Sequence, residues 1–180
     1  MELFQAIKER YSYRGAFVQK PIPEADLRKI VQAGLDAPSG KNLQTTQFLI
    51  IDDPEKLDRV RGVFAGQAFI TTAQAFIALF YDIEEQAASE FPYTFEVEDA
   101  AAAVQNILLA ITGLGYASVW LDGVLRNEQR AERIGEIVGL PKSKRIRILL
   151  PVGVPVDENH PRKEKLAFDK RVWFNTWQQG

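Results

Sequence analysis

Apolar positions recur along this chain with two different periods, and the switches between them outline its elements. Leu3, Phe4 and Ile7 share one side of a first helix that ends near Arg10. Pro21-Ile22-Pro23 interrupts the pattern, and Leu27, Ile30 and Val31 mark a second helix ending near Ala37-Pro38. The run Phe48-Leu49-Ile50-Ile51, stopped by Asp52-Asp53-Pro54, predicts a buried strand. Glu55 to Val63 predicts a surface helix, Ala75 to Tyr81 a second strand, and the polar, aromatic-interrupted stretch Glu84 to Tyr93 a loop or mobile flap. Glu98 and Asp99 then stand where negative charge favours a helix N-terminus. Ala100 to Leu114 comes next, apolar nearly all round, and predicts a helix buried on most sides, either by its own domain or by a second subunit. Val119 to Leu121 predicts a short strand, Asn127 to Val138 a surface helix and Ile146 to Val152 a last strand. From Gly153 an irregular basic tail runs to Trp173, Phe174 and Trp177. With no repeat, linker or low-complexity tract, the pattern predicts one α+β domain over residues 1–180.

Composition narrows the chemistry. A chain of 180 residues suffices for one sizeable core and is short for two. A formal net charge of −2 gives no general pull toward nucleic acid or an anionic membrane, so basic clusters have to be read locally. There is no cysteine, which removes disulfides, thiolate nucleophiles and cysteine-based metal sites. The single histidine, His160, excludes a multi-histidine metal centre, and no Gly-x-Ser-x-Gly elbow accompanies it. An enzyme built this way would lean on a bound organic cofactor. The N-terminus shows no basic start followed by an apolar run, and Ala100–Leu114 is too short to span a bilayer comfortably. The expected location is the cytoplasm, without a membrane partner.

Two phosphate motifs fail on context. Gly113-Leu114-Gly115 has the first glycines of a dinucleotide fingerprint but comes after a helix instead of a strand, so helix termination at glycine is the better account. Gly34 through Gly40-Lys41 is one residue too long for a P-loop, and Asn42 stands where Ser or Thr is needed. Arg10-Tyr11-Ser12-Tyr13-Arg14 remains. In an extended segment positions 10, 12 and 14 share one side, giving two guanidinium forks and a hydroxyl suited to a phosphate. The same arginines could instead close the first helix against its C-terminal dipole and face solvent. The run His160-Pro161-Arg162-Lys163-Glu164-Lys165 is equally open, since a charge run is usually a solvated face.

Five motifs in register carry a resemblance over essentially the whole length. Arg10-x-Ser12-x-Arg14 is followed by Pro38-Ser39-x-x-Asn42-x-Gln44, and then by Gln105-Asn106 running through Gly113-Leu114-Gly115 to Trp120 and Asp122-Gly123. Gly153-Val154-Pro155 with Arg162-Lys163 comes next, and Val172-Trp173-Phe174-Asn175-Thr176-Trp177 closes the chain. Together they resemble the nitroreductase family. The resemblance implies a central, mostly antiparallel sheet flanked by helices. It also implies an intertwined homodimer in which the tail 153–180 packs on the partner.

It further implies FMN as cofactor, with Arg10, Tyr11, Ser12 and Arg14 on its phosphate and pyrimidine side and Arg162 and Lys163 closing on the phosphate. Pro38, Ser39 and Asn42 would approach the same flavin from the other subunit, with Gln44 at the turn or the ring. The Asp122-Gly123 pair would offer a backbone amide near flavin N5, and Gln67 an amide at the pyrimidine edge. Arg14 and Lys41 are candidates to stabilise charge on the reduced ring. The implied function is ping-pong transfer of hydride from NADH or NADPH through FMN to a nitroaromatic, quinone or similar small acceptor. The alternatives are a flavin carrier without turnover, or dehalogenation, desaturation or flavin fragmentation at the same site. Three departures stand out: Thr45-Thr46 replaces the usual Pro-Trp, Ala73-Gln74 the usual Ala-Pro, and Trp173 a common histidine.

Overall fold

The computed structural model describes residues 1–64, 66–83, 94–157 and 164–177. The expected loop Glu84–Tyr93, together with His160, Arg162 and Lys163, lies outside the described residues. In chain order the elements are α1 (Leu3–Glu9), α2 (Glu24–Leu35), β1 (Gln47–Ile51), α3 (Pro54–Arg61) and α4 (Ala68–Thr71). They continue as β2 (Ala75–Asp82), α5 (Glu96–Gly113), β3 (Ala117–Ser118), α6 (Arg130–Val138) and β4 (Lys144–Gly153). The four strands form one antiparallel sheet in the order β1-β2-β4-β3.

The sheet is covered on both faces, and β2 shows why its sequence has no polar side. Ala75, Ile77 and Leu79 face a core shared with Leu27 and Ile30 of α2 and Val104, Ile107 and Ile111 of α5. Phe76, Ala78 and Phe80 face the other way, onto Leu57 and Val60 of α3, Ile70 of α4 and Ile134 of α6. Period two thus splits one apolar run between two cores. A β-bulge in β4 interrupts the register: Leu79 pairs with Ile148 but Phe80 with Ile146, so Arg147 has no partner on β2.

Local signals set the helix ends. Asp53 accepts the Lys56 N–H at 3.0 Å and Pro54 opens α3. At the end of α5, Gly115 takes φ +82° while its N–H reaches Thr112 O and the Tyr116 N–H reaches Ile111 O, both at 3.0 Å. That pair of bonds is a Schellman cap, and it accounts for the glycines as a helix stop.

Three expectations need correction. The strand expected to be buried, β1, lies at the sheet edge, and only Ile51 of it is fully buried. The strand expected at Val119–Leu121 is instead Ala117–Ser118, with Leu121 making a single bridge to Leu149, because the chain leaves the ladder after Ser118. Helix α6 begins at Arg130 and not at Asn127, since Glu128 and Gln129 adopt left-handed φ of 54° and 52°. Within this chain helix α5 is buried along one stripe from Glu96 to Ile111, whereas Val97, Ala101 and Gln105 are exposed, on the side that a second subunit is expected to cover. Within this chain the apolar face of α1 is uncovered too: Leu3, Phe4 and Ile7 are exposed, and only Ala6 is buried. Residues 164–177 are exposed throughout.

Candidate functional site

The Arg10–Arg14 segment leaves α1 through Arg10, whose backbone N–H still closes the helix on Ala6 O at 2.9 Å. It then runs extended beside β3, with Ser12 bridging Ser118 and the Tyr13 N–H donating to Ser118 O at 2.9 Å. Tyr13 is fully buried and anchors the segment. Its hydroxyl donates to Ala16 O and accepts the Val156 N–H at 3.2 Å, and its ring lies 5.1 Å from Phe17 and edge-on to Tyr11 at 6.1 Å. With Tyr13 turned inward, Ser12 and Arg14 are left on the outer side, as the two-residue period predicts. Tyr11 packs partly buried against the core.

The donors here are largely unspent. Among the described residues neither the Arg10 guanidinium nor the Ser12 hydroxyl has a partner, and Arg14 gives one Nη1–H to Ser12 O at 3.2 Å. One guanidinium and a hydroxyl without partners, and a second guanidinium with a single bond made, fit an external oxyanion.

Four residues beyond Ser118 comes Asp122. Its Oδ1 accepts Arg147 Nη1 at 2.7 Å and Arg126 Nε at 3.0 Å, and its Oδ2 accepts Arg126 Nη2 at 3.2 Å. The carboxylate is therefore consumed internally, and the pair presents Gly123 outward. Gly123 is exposed, a Cβ there would meet nothing within 4 Å, and its N–H donates to no group among the described residues. An open approach and a spare backbone donor suit the edge of a planar heterocycle. Gln67 heads α4, whose C-terminal end is tied to the first segment by the Phe17 N–H donating to Thr72 Oγ1 at 2.8 Å.

The loop Pro38–Gln44 sits elsewhere. Asp99, buried in the first turn of α5, accepts the Gly40 N–H at 2.8 Å and the Thr45 hydroxyl at 3.1 Å. Gly40 is demanded by packing, because a Cβ would run into the Phe95 ring. Ser39 Oγ accepts the Gln44 N–H at 3.1 Å, which closes the turn but leaves the hydroxyl proton free to donate. Lys41, Asn42 and Gln44 take positive φ of 55°, 57° and 52°, and their side chains are exposed.

Helix α5 rises about 21 Å between Asp99 and Gly113. The loop is held at its N-terminal end, while Ser118, which Ser12 bridges, follows its C-terminal end in β3. β1, which the loop enters, is also the sheet edge opposite β3. Ser12 and Ser118 thus lie at the sheet edge opposite the one that the Pro38–Gln44 loop enters.

Sequence reasoning missed Asp99 as the anchor of the loop and Arg147 as the partner of Asp122. Asp99 carried a signal, an acidic residue at a helix start, but its loop partners lie 54 and 59 residues away in sequence. Arg147 carried none. No group of three or more potential metal ligands is present among the described residues. Tyr116 donates to Asp26 at 2.8 Å, and partial burial together with that bond and charge pushes its pKa up to about 12.

Comparison with known proteins puts the chain among the oxidoreductases, and the family is specific. A model described as the nitroreductase family matches residues 7–83 and 62–154. The chain belongs to the nitroreductase family. It is 34% identical over 157 residues, 87% of each chain, to a protein of Archaeoglobus fulgidus provisionally named NADH dehydrogenase/NAD(P)H nitroreductase. It superposes at TM-score 0.81 and 26% identity on the NADPH:FMN oxidoreductase of Vibrio harveyi solved with NAD+, over 98% of this chain and 78% of that one. A provisionally named nitroreductase of Desulfovibrio desulfuricans, solved with FMN, matches at TM-score 0.78 and 25% identity over 99% of both chains.

Proposed function

We propose that this chain is an FMN-dependent oxidoreductase drawing on NADH or NADPH, and that its working form is a homodimer in which each flavin is gripped by both copies. The observation that carries this is the largely unspent donor set Arg10–Ser12–Arg14, together with the open N–H of Gly123. FMN carries both features such a site would recognise, a phosphate at one end and a planar ring at the other. Bound FMN would supply the hydride chemistry, from a nicotinamide to a nitroaromatic, quinone or related small acceptor in ping-pong order.

The protein's part is to bind and to bias. Arg10, Ser12 and Arg14 hold the phosphate and the pyrimidine side, and Arg162 and Lys163 are assigned to the phosphate as well. The Gly123 N–H faces the ring, Gln67 offers an amide at its edge, and Arg14 and Lys41 counter negative charge gathered on the reduced ring. The separation along α5 is the reason Pro38, Ser39, Asn42 and Gln44 are assigned to the flavin of the second copy. Dimerisation would also cover Leu3, Phe4 and Ile7 of α1 and the exposed tail aromatics Phe168, Trp173, Phe174 and Trp177, a spread of apolar surface unusual for a monomer. Residues 1–180 would act as one domain, with 153–180 on the partner.

The test is spectroscopic. Purified protein should carry flavin absorbance, and anaerobic NADH or NADPH should bleach it, with colour restored by a quinone. A flavin that neither nucleotide bleaches would leave a passive FMN carrier, and a protein that takes up no FMN would end the proposal.

A further inference from the structure

We propose that Arg147 is a positioning residue for this reaction: from a β-bulge in the central sheet it grips the Asp122 carboxylate and thereby fixes the backbone N–H of Gly123 toward the flavin ring. The inference rests on the proposed FMN function.

Three observations on independent parts of the chain converge. First, the extra residue of the bulge is Arg147 itself, since its neighbours Ile146 and Ile148 keep their partners Phe80 and Leu79 while it has none. Bulges re-aim a side chain, and this one is aimed at Asp122, with Nη1 to Oδ1 at 2.7 Å. Second, the two arginines on Asp122 are not equivalent. Arg126 lies four residues on, within the same short turn Gly123–Arg126, and is 61% exposed. It moves with Asp122 and cannot locate it. Arg147 is 21% exposed and sits on β4, a strand paired on both sides, so among the described residues only this bond ties the Asp122 side chain to the sheet. The preceding residue is tied as well, by paired bonds between Leu121 and Leu149 at 3.1 and 3.0 Å. Third, directly after this clamp comes an exposed glycine, Gly123, whose N–H has no acceptor among the described residues and whose missing side chain leaves the approach clear.

A backbone donor stabilises developing charge in proportion to how firmly it is fixed, because a donor that must reorganise loses most of its advantage. The phosphate grip at Arg10–Arg14 supplies affinity without Arg147. Loss of Arg147 should therefore be felt at the ring and not in FMN uptake.

The experiment uses the full chain loaded with FMN and compares Arg147→Met, Arg147→Lys, Asp122→Asn and Asp122→Asn with Arg147→Met. Three quantities are read: the FMN dissociation constant, the midpoint potential of the bound flavin, and the anaerobic rate of its reduction by NADH or NADPH. Arg147→Met is expected to slow reduction about tenfold to a hundredfold and lower the potential, while FMN affinity changes less than about threefold. Arg147→Lys, which keeps the charge without the fork, should fall between, and it carries the test if the methionine variant fails to fold. In the Asp122→Asn background the same change should cost little more. Parent-like reduction in Arg147→Met, an undiminished loss in the Asp122→Asn background, or a fall in FMN affinity in step with the rate would each overturn the inference. A parent chain that takes up no FMN would overturn the FMN reading itself and the inference with it.

Discussion

Removing the Asp99 carboxylate should loosen the Pro38–Gln44 loop while leaving the sheet intact. Asp99 is buried and spends one oxygen on the Gly40 N–H and the other on the Thr45 hydroxyl. Hydrogen bonds to a charged group contribute about 1.5–3 kcal/mol each, and an acid in the first turn of α5 adds about 0.3–1 kcal/mol against the helix dipole. Asp99→Ala deletes all of this and strands a part-buried donor, so about 3–7 kcal/mol of stability should be lost. Asp99→Asn is the informative control. Its amide oxygen can still accept from Gly40, and its NH₂ can donate to Thr45 Oγ1, because a hydroxyl rotates to accept. Only the charge is lost, and the cost should fall to about 1 kcal/mol.

The loop holds three non-glycine residues at positive φ, each a conformation that persists only where the surroundings impose it. In the alanine variant it should relax and FMN affinity should drop as well. Urea titrations at one fixed protein concentration, paired with flavin titrations, read both effects. Equal losses for the alanine and asparagine variants, or an alanine variant as stable as the parent, would refute the anchoring role.

Arg10→Ala should weaken FMN binding roughly tenfold to a hundredfold or more by removing charge-assisted phosphate bonds, measured by titration of the apoprotein. Trp177→Ala with Phe174→Ala leaves every assigned FMN ligand in place and should shift the dimer toward monomer in sedimentation, with flavin lost in parallel. Gly40→Ala should cost about 1–3 kcal/mol through overpacking against Phe95, read as a lower denaturation midpoint. Tyr116 keeps its proton more firmly in the folded state, with a pKa of about 12 against an ordinary 10.0. The stability this represents is complete below about pH 10 and is lost as pH rises toward 12, so Tyr116→Phe should flatten the decline of stability across that window.

Legible in the sequence was whatever short spacing controls. The outward side of Ser12 and Arg14 comes from the two-residue period of an extended chain, with Tyr13 pointing the other way. The stop at Gly115 comes from a glycine placed just past an apolar helical run. Burial of a strand cannot be read from its own residues. Phe48-Leu49-Ile50-Ile51 and Ala75–Phe80 look equally apolar, but one ended at the sheet edge and the other between two strands, which depends on strand order. The start of α6 was misplaced because Glu128 and Gln129 take left-handed φ without a glycine to announce it. Arg147 was invisible for a related reason. A single inserted residue changes nothing in the composition of β4 and shows only in the pairing with β2.

The two parts of the candidate site are also held by different physics, and that bears on the departures from the family's pattern. Arg10–Arg14 is fixed by backbone pairing to Ser118 and by the buried Tyr13, whose hydroxyl bonds Ala16 and Val156. Pro38–Gln44 is fixed by a buried carboxylate on another element. Thr45 stands where a proline is usual, and its hydroxyl is the group that satisfies Asp99 Oδ2. A proline there would have neither a hydroxyl to give nor a backbone N–H, and a buried carboxylate oxygen without a partner is costly. Thr45 and Asp99 therefore form one unit. The departure at Thr45 belongs to how this loop is anchored.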